Sequence, residues 1–237
     1  MKPLRIIPSS VLISAFIILS SCNSICVEGL GDTVTRQVDV NVMKGIVQNS
    51  SIPVEISYGM NQKVEVTGKE NLIALLETKV KDELWRIDVS EHICSEGMKI
   101  SITLPLLERI FIAGSGDVTG ITPFQGDDME FRIIGSGSLR IEISAKDVEI
   151  EIDGSGDVMI SGRCEELDMD SNGSGDIQAS KLKAKDVTAS SDGSGDIELS
   201  ASGALDASVS GSGDIYYEGE PAEIKTIKKG SGEVLKK

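Results

Sequence analysis

From about residue 113 onward, aliphatic and polar residues alternate in short runs, and each run keeps a fixed distance from a Gly-Ser-Gly triplet. The triplets begin at Gly114, Gly135, Gly154, Gly173, Gly193, Gly211 and Gly230, with separations of 21, 19, 19, 20, 18 and 19 residues. Each is followed by Asp117, Ser138, Asp157, Asp176, Asp196, Asp214 or Glu233, and then always by an aliphatic residue: Val118, Leu139, Val158, Ile177, Ile197, Ile215 or Val234. Six residues before each later triplet stand Met129, Val148, Leu167, Val187, Leu205 and Ile224. Four before stand Phe131, Ile150, Met169, Ala189, Ala207 and Thr226, and between these columns lie Glu130, Glu149, Asp168, Thr188, Asp206 and Lys225. Alternation of this kind is the mark of a strand with one buried and one wet face.

Short strands, one glycine turn per repeat and a period near 19 residues predict an all-β fold, a parallel β-helix or solenoid. Each rung buries its aliphatic face against its neighbours, because no rung has a core of its own. Paired strands lie about 4.8 Å apart, so six rungs span about 29 Å. Both flanks keep register with the glycines, so length variation is expected mid-rung. Two Gly in three residues suggest a turn with positive φ. The repeat rungs cover 113–237. Upstream, 33–112 reads as irregular first rungs and a cap, with strands over 33–42, 54–58, 63–67, 84–90 and 99–104 and one short helix over 71–80. Ile110 and Ile112 already occupy the later inward columns.

Residues 1–21 stand apart from this pattern. Lys2 and Arg5 precede an apolar run over 11–19, too short to span a bilayer. Leu19-Ser20-Ser21-Cys22 then matches a bacterial lipobox, in which the leader is cleaved and Cys22 becomes the acylated N-terminus. The expected organisation is therefore a signal peptide (1–21), a tether (22–32) and a single solenoid domain (33–237). The expected address is the cell envelope, with the outer membrane favoured and the chain held to lipid through Cys22.

The full chain has 237 residues, 3% aromatic, and a formal charge of −15. Cleavage after residue 21 leaves 21 basic against 38 acidic residues, a formal −17. Such a surface disfavours nucleic acid and anionic headgroups. An envelope protein or a glycan is the expected partner, and the delipidated chain is expected to be a monomer. Its terminal rung carries Lys225, Lys228 and Lys229, residues that discourage edge pairing. Cys26, Cys94 and Cys164 remain after Cys22; an exported compartment permits a Cys26–Cys94 bridge, which spacing alone does not establish.

The lipobox, the N-terminal strands, the Asn71-Leu72 helix and the repeated Gly-Ser-Gly-Asp together resemble the bacterial family described as "putative auto-transporter adhesin, head GIN domain", over roughly residues 34–217. The resemblance implies a right-handed β-helix and brings no catalytic residues with it.

The Asp column is the one constellation with candidate chemistry. On successive rungs Asp157, Asp176, Asp196 and Asp214 would lie about 5 Å apart, close enough to raise one another's pKa unless compensated. Two arrangements compensate them. Each carboxylate can accept backbone N–H bonds within its own glycine turn, a purely structural role and the expected one. Alternatively, with Asp153, Asn172 or Asp192, the column can hold calcium, which takes six to eight oxygens. No other cofactor is expected. The single histidine, His92, has no nucleophile in a recognisable motif, and the rungs are too short for a loop-built cleft. The reading is a non-catalytic binding lipoprotein. A structural or assembly module of the envelope is the alternative, and a carbohydrate-active β-helix enzyme ranks below both.

Overall fold

The computed structural model describes residues 26–94 and 97–237; Cys22 and the leader lie outside the described residues. It is a parallel β-solenoid in which all 20 strands join one continuous hydrogen-bonded sheet. Two ladders form its walls. One contains Arg109–Ile112, Asp128–Ile133 and Asp147–Ile152, and ends on Ala204–Val209 and Glu223–Lys228. The other contains Val118–Gly120, Leu139–Ser144, Ile197–Ser200, Ile215–Glu218 and Val234–Lys236. The long strands Val158–Ser171 and Ile177–Ser191 bend around the corner and belong to both. Equivalent columns stack in register: Ile110 on Phe131, then Ile150, Met169, Ala189 and Ala207, all 0–1% exposed. The fall from Phe131 to Ala207 narrows the interior along the coil.

Length variation is taken up mid-rung, as the glycine register requires. The 20-residue repeat places its extra residue at a register shift, where Met159 pairs with Gln178 but Ser161 pairs with Lys181.

The glycine turns are built for a different reason than left-handed φ. Among the described residues the glycines with positive φ are Gly31, Gly162 and Gly219, none of them in a triplet. Both glycines of each repeat triplet instead face the backbone of the rung before. A Cβ on Gly154 would collide with the Gly135 carbonyl oxygen, and one on Gly156 with that of Gly137. Close stacking of corners, not turn conformation, demands glycine here.

The first rungs are not in chain order. Gly45–Gln48 pairs on one side with Leu84–Ile87 and on the other with Arg109–Ile112. Val54–Tyr58 lies between Lys99–Leu104 and Val118–Gly120. The rung made by 45–58 therefore slots between one made by 84–104 and the first Gly-Ser-Gly rung. Its corner, Ser50-Ser51-Ile52-Pro53, occupies the place of Gly-Ser-Gly-Asp without a glycine. The rung before it spends eleven residues, 88–98, on the same corner, against five here, 49–53. The buried Gln48 amide fills the gap: its Oε1 accepts from Ser50 N and Oγ at 3.0 Å each, and its Nε2 donates to the Ile52 carbonyl.

The cap is an antiparallel pair, Thr33–Gln37 on Lys63–Lys69, which in turn pairs antiparallel with Lys99–Leu104. The helix is a single turn, Glu70–Ile73, shorter than the 71–80 expected from its leucine spacing. It stops because the following segment is drawn into pairing with 88–90: Glu77 N–H donates to Asp88 O (2.9 Å) and Ser90 N–H to Leu75 O (2.9 Å). A two-residue hairpin turn at Asp82 and Glu83, both with positive φ, joins Val80–Lys81 to Leu84–Ile87. Cys26 and Cys94 form a disulfide, with Cα atoms 4.9 Å apart.

At the other end, Glu223–Lys228 is exposed at all six positions and, among the described residues, has a partner strand on one side only. Its lysines are engaged within the chain: Lys225 with Asp206, Lys228 with Glu233.

Candidate functional site

The Gly-Ser-Gly-Asp corners resolve into a hydrogen-bonded ladder. Asp157 Oδ1 accepts the backbone N–H of Asp176 at 2.9 Å, Asp176 that of Asp196 at 2.8 Å, and Asp196 that of Asp214 at 2.7 Å. The acceptor role therefore runs between rungs, and not within each glycine turn as the repeat alone suggests. The two departures from aspartate fit the same role. Ser138 N–H donates to Asp117 Oδ1 (2.9 Å), and the Ser138 hydroxyl accepts from Asp157 N–H (3.2 Å). Glu233 donates its N–H to Asp214 (2.7 Å), and its own carboxylate meets Lys228 (3.1 Å). One oxygen of each carboxylate is thus committed to the backbone, and the N–H donors offset the repulsion within the column. Removing divalent cations with a chelator should shift the melting temperature by less than a few degrees. A large shift restored by calcium would reassign Asp157, Asp176, Asp196 and Asp214 as ligands.

The opposite corner is where the surface opens. A groove of about 810 Å³ runs along the first ladder from Leu106 to Asp206. Met129, Val148, Leu167 and Val187 line it but turn their side chains into the core, at 2–3% exposed, so the outward columns beside them set its surface with carboxylates. One column is Asp128, Asp147, Glu166 and Asp186; the other is Glu130, Glu149 and Asp168, with Asp206 further on. Arg109 is the one basic residue among those lining it. Lys146 on Asp127 (2.6 Å) and Lys185 on Asp186 (3.1 Å) sit at the edge. The parallel register forces this arrangement, because equivalent residues on successive rungs stack and an acid conserved in the repeat becomes a wall of acids.

Asp168 shows the electrostatic consequence. Its carboxyl is pushed above the usual range, first by burial and then by the charges of Asp170 and Glu149. The charged form is therefore held at a cost that a cationic group in the groove would relieve. Nearby, Asp153 goes the other way, lowered by hydrogen bonds from Arg132 and then Asn172. Cys164 is buried and its thiol is raised to about 12, chiefly by burial and secondarily by Asp147, so it is not a nucleophile at neutral pH. His92 is exposed on the segment held by the disulfide. In the sequence the groove shows only as a column of outward acids, Glu130, Glu149 and Asp168, whose alternation predicts no more than a wet face.

A family model matches residues 43–221. The chain belongs to the family "putative auto-transporter adhesin, head GIN domain". Solved structures share the whole architecture. A protein from Bacteroides fragilis titled a putative adhesin is 28% identical, with a TM-score of 0.84, covering 89% of this chain and 100% of its own. One from Parabacteroides distasonis titled a putative lipid binding protein is 24% identical, with a TM-score of 0.71 over 90% of this chain and 100% of its own. A putative adhesin from Parabacteroides merdae is 20% identical, with a TM-score of 0.68 over 88% and 98%. These last two bear on the fold alone. No curated protein matches the chain. Family members and neighbours carry names of adhesion or lipid binding rather than of enzymes.

Proposed function

We propose that this member of the head GIN domain family is a non-catalytic adhesin of the bacterial cell envelope, lipid-anchored through Cys22, and that its acidic groove receives a basic segment of an envelope or surface protein. The observation that carries this reading is the groove itself, with its two walls of stacked carboxylates and the raised pKa of Asp168. An extended basic strand matches it, since lysines on alternate residues all point to one face and so toward the stacked carboxylates. The groove's negative potential also speeds encounter with such a partner and repels nucleic acid.

The test uses residues 23–237 and a synthetic peptide of alternating threonine and lysine as probe. The peptide should bind, more weakly as salt rises. Glu149→Lys with Asp168→Lys should weaken it by at least about tenfold, since reversing charges at a partner's site removes attraction and adds repulsion. Both side chains point outward, so the fold should be retained. Binding that ignores the double variant would remove the groove from the reading.

The anchor is tested separately. Cys22→Ala should move the protein from the membrane to the soluble fraction, because acylation needs that thiol and several buried acyl chains hold firmly at about 0.8 kcal/mol per CH₂. Unchanged detergent partitioning would refute the anchor and leave the groove untouched.

A further inference from the structure

Leu30, Val42 and Met60 are the three most exposed large hydrophobic side chains among the described residues, at 67, 77 and 86%. Single exposed aliphatics are ordinary. These three share one end of the coil, and all flank its outermost strand, Thr33–Gln37. Leu30 precedes that strand, with its N–H held by Asn71 Oδ1 at 2.8 Å. Past the strand's other end, Gln62 Nε2 donates to the carbonyls of Val40 (2.9 Å) and Asn41 (3.0 Å), and Gln62 Oε1 accepts from Met43 N–H (3.0 Å). Those bonds hold the segment carrying Val42 beside the one carrying Met60. Eleven residues lie between Leu30 and Val42, so the two apolar points are at most about 40 Å apart.

The chain enters the fold at this same end. The disulfide ties Cys26 to Cys94, Asn71 Nδ2 donates to Glu28 O (2.7 Å), and Lys69 Nζ donates to Gly31 O (2.7 Å). Four residues lead from Cys22 to Cys26, and they reach at most about 14 Å. A bilayer that holds Cys22 therefore meets the cap first. Charge acts in the same direction. Residues 26–104 carry 8 basic and 12 acidic side chains, whereas 105–237 carry 13 and 26. Anionic headgroups repel the repeat rungs more than the cap.

We propose that the cap is a membrane-seating surface, with Leu30, Val42 and Met60 entering the bilayer interface as three apolar feet. This rests on the acylation of Cys22. Seated this way, the solenoid stands away from the bilayer and its lateral groove stays open to a partner. Three aliphatic side chains are too few to bind a membrane unaided, so seating follows anchoring and does not replace it.

The test supplies the anchor artificially, so that it does not depend on natural acylation. Residues 23–237 carry an N-terminal hexahistidine and bind phosphatidylcholine vesicles containing nickel-chelating lipid. An environment-sensitive fluorophore is placed at Val42→Cys, at Met60→Cys, or at Lys229→Cys at the far end; the native Cys26 and Cys94 are bonded and Cys164 is buried. Probes at 42 and 60 should shift to the blue on vesicles and be quenched by a lipid-borne quencher, while the probe at 229 stays water-like. Water-like emission at all three positions would show that the cap does not touch lipid. A blue shift at 229 equal to the others would show that the coil lies flat. Either result overturns the proposal, and neither bears on whether Cys22 is acylated in the cell.

Discussion

Ile177→Asp should lower the melting temperature by more than about 10 °C or prevent folding, whereas Asp176→Asn, one residue away, should shift it by only a few degrees. Ile177 is fully buried and stacked between Val158 and Ile197. A carboxylate there has no partner, and an unpaired buried charge is among the costliest single changes, about 4 kcal/mol or more. Asp176 points the other way, and its Oδ1 accepts the Asp196 N–H. Asparagine keeps that acceptor and loses only the charge, a change of about 1 kcal/mol. Should Ile177→Asp yield no folded protein, Ile177→Ala gives the same contrast at about 2–5 kcal/mol. Equal losses at 176 and 177 would invert the assignment of inside and outside.

The rungs from Gly114 onward were legible because a strand's period of two and a fixed corner leave the same mark seven times. Even there, the reason for glycine was not legible. Composition suggests a turn that needs positive φ, while the actual requirement is a carbonyl from another rung, about 19 residues away in the chain. The same distance hid the role of Ser138, which looks like a lapse from aspartate and serves as the same acceptor.

The first rungs were less legible for a related reason. Gly45–Gln48 has no triplet beside it, and its neighbours in space, Leu84–Ile87 and Arg109–Ile112, are far along the chain. Local pattern reports which residues face inward but not which rung they join. Ile46 and Gln48 occupy the columns of Ile110 and Ile112, yet a buried glutamine hides the likeness. The Cys26–Cys94 bridge joins residues 68 apart and was likewise set by tertiary placement. The groove was visible only as composition, since acids on alternate positions of separate repeats become a wall once the rungs stack in register.

Gly173→Ala should cost about 3 kcal/mol, or about 6–12 °C in melting temperature, while Ser174→Ala beside it should cost almost nothing. Alanine is normally the mildest of replacements for glycine, and outside positive φ it often stabilises. Here its methyl group would sit on the Gly154 carbonyl oxygen, and that backbone cannot yield without moving the corner. The corner on the far side is fixed as well: Ser194 N–H donates to the Gly173 carbonyl at 2.9 Å. Ser174 is exposed and has no such neighbour. Position along the coil gives a second control. Gly230 faces the Gly211 carbonyl in the same way, but among the described residues no strand pairs on the far side of its rung. That rung can lift outward, so Gly230→Ala should cost well under half as much as Gly173→Ala. In a coil stabilised by contacts between neighbouring rungs, the central lesion also interrupts the stack on both sides, and its melt should broaden. Equal costs at Gly173 and Gly230 would mean that the glycines answer to the turn's own conformation after all, and not to the rung before.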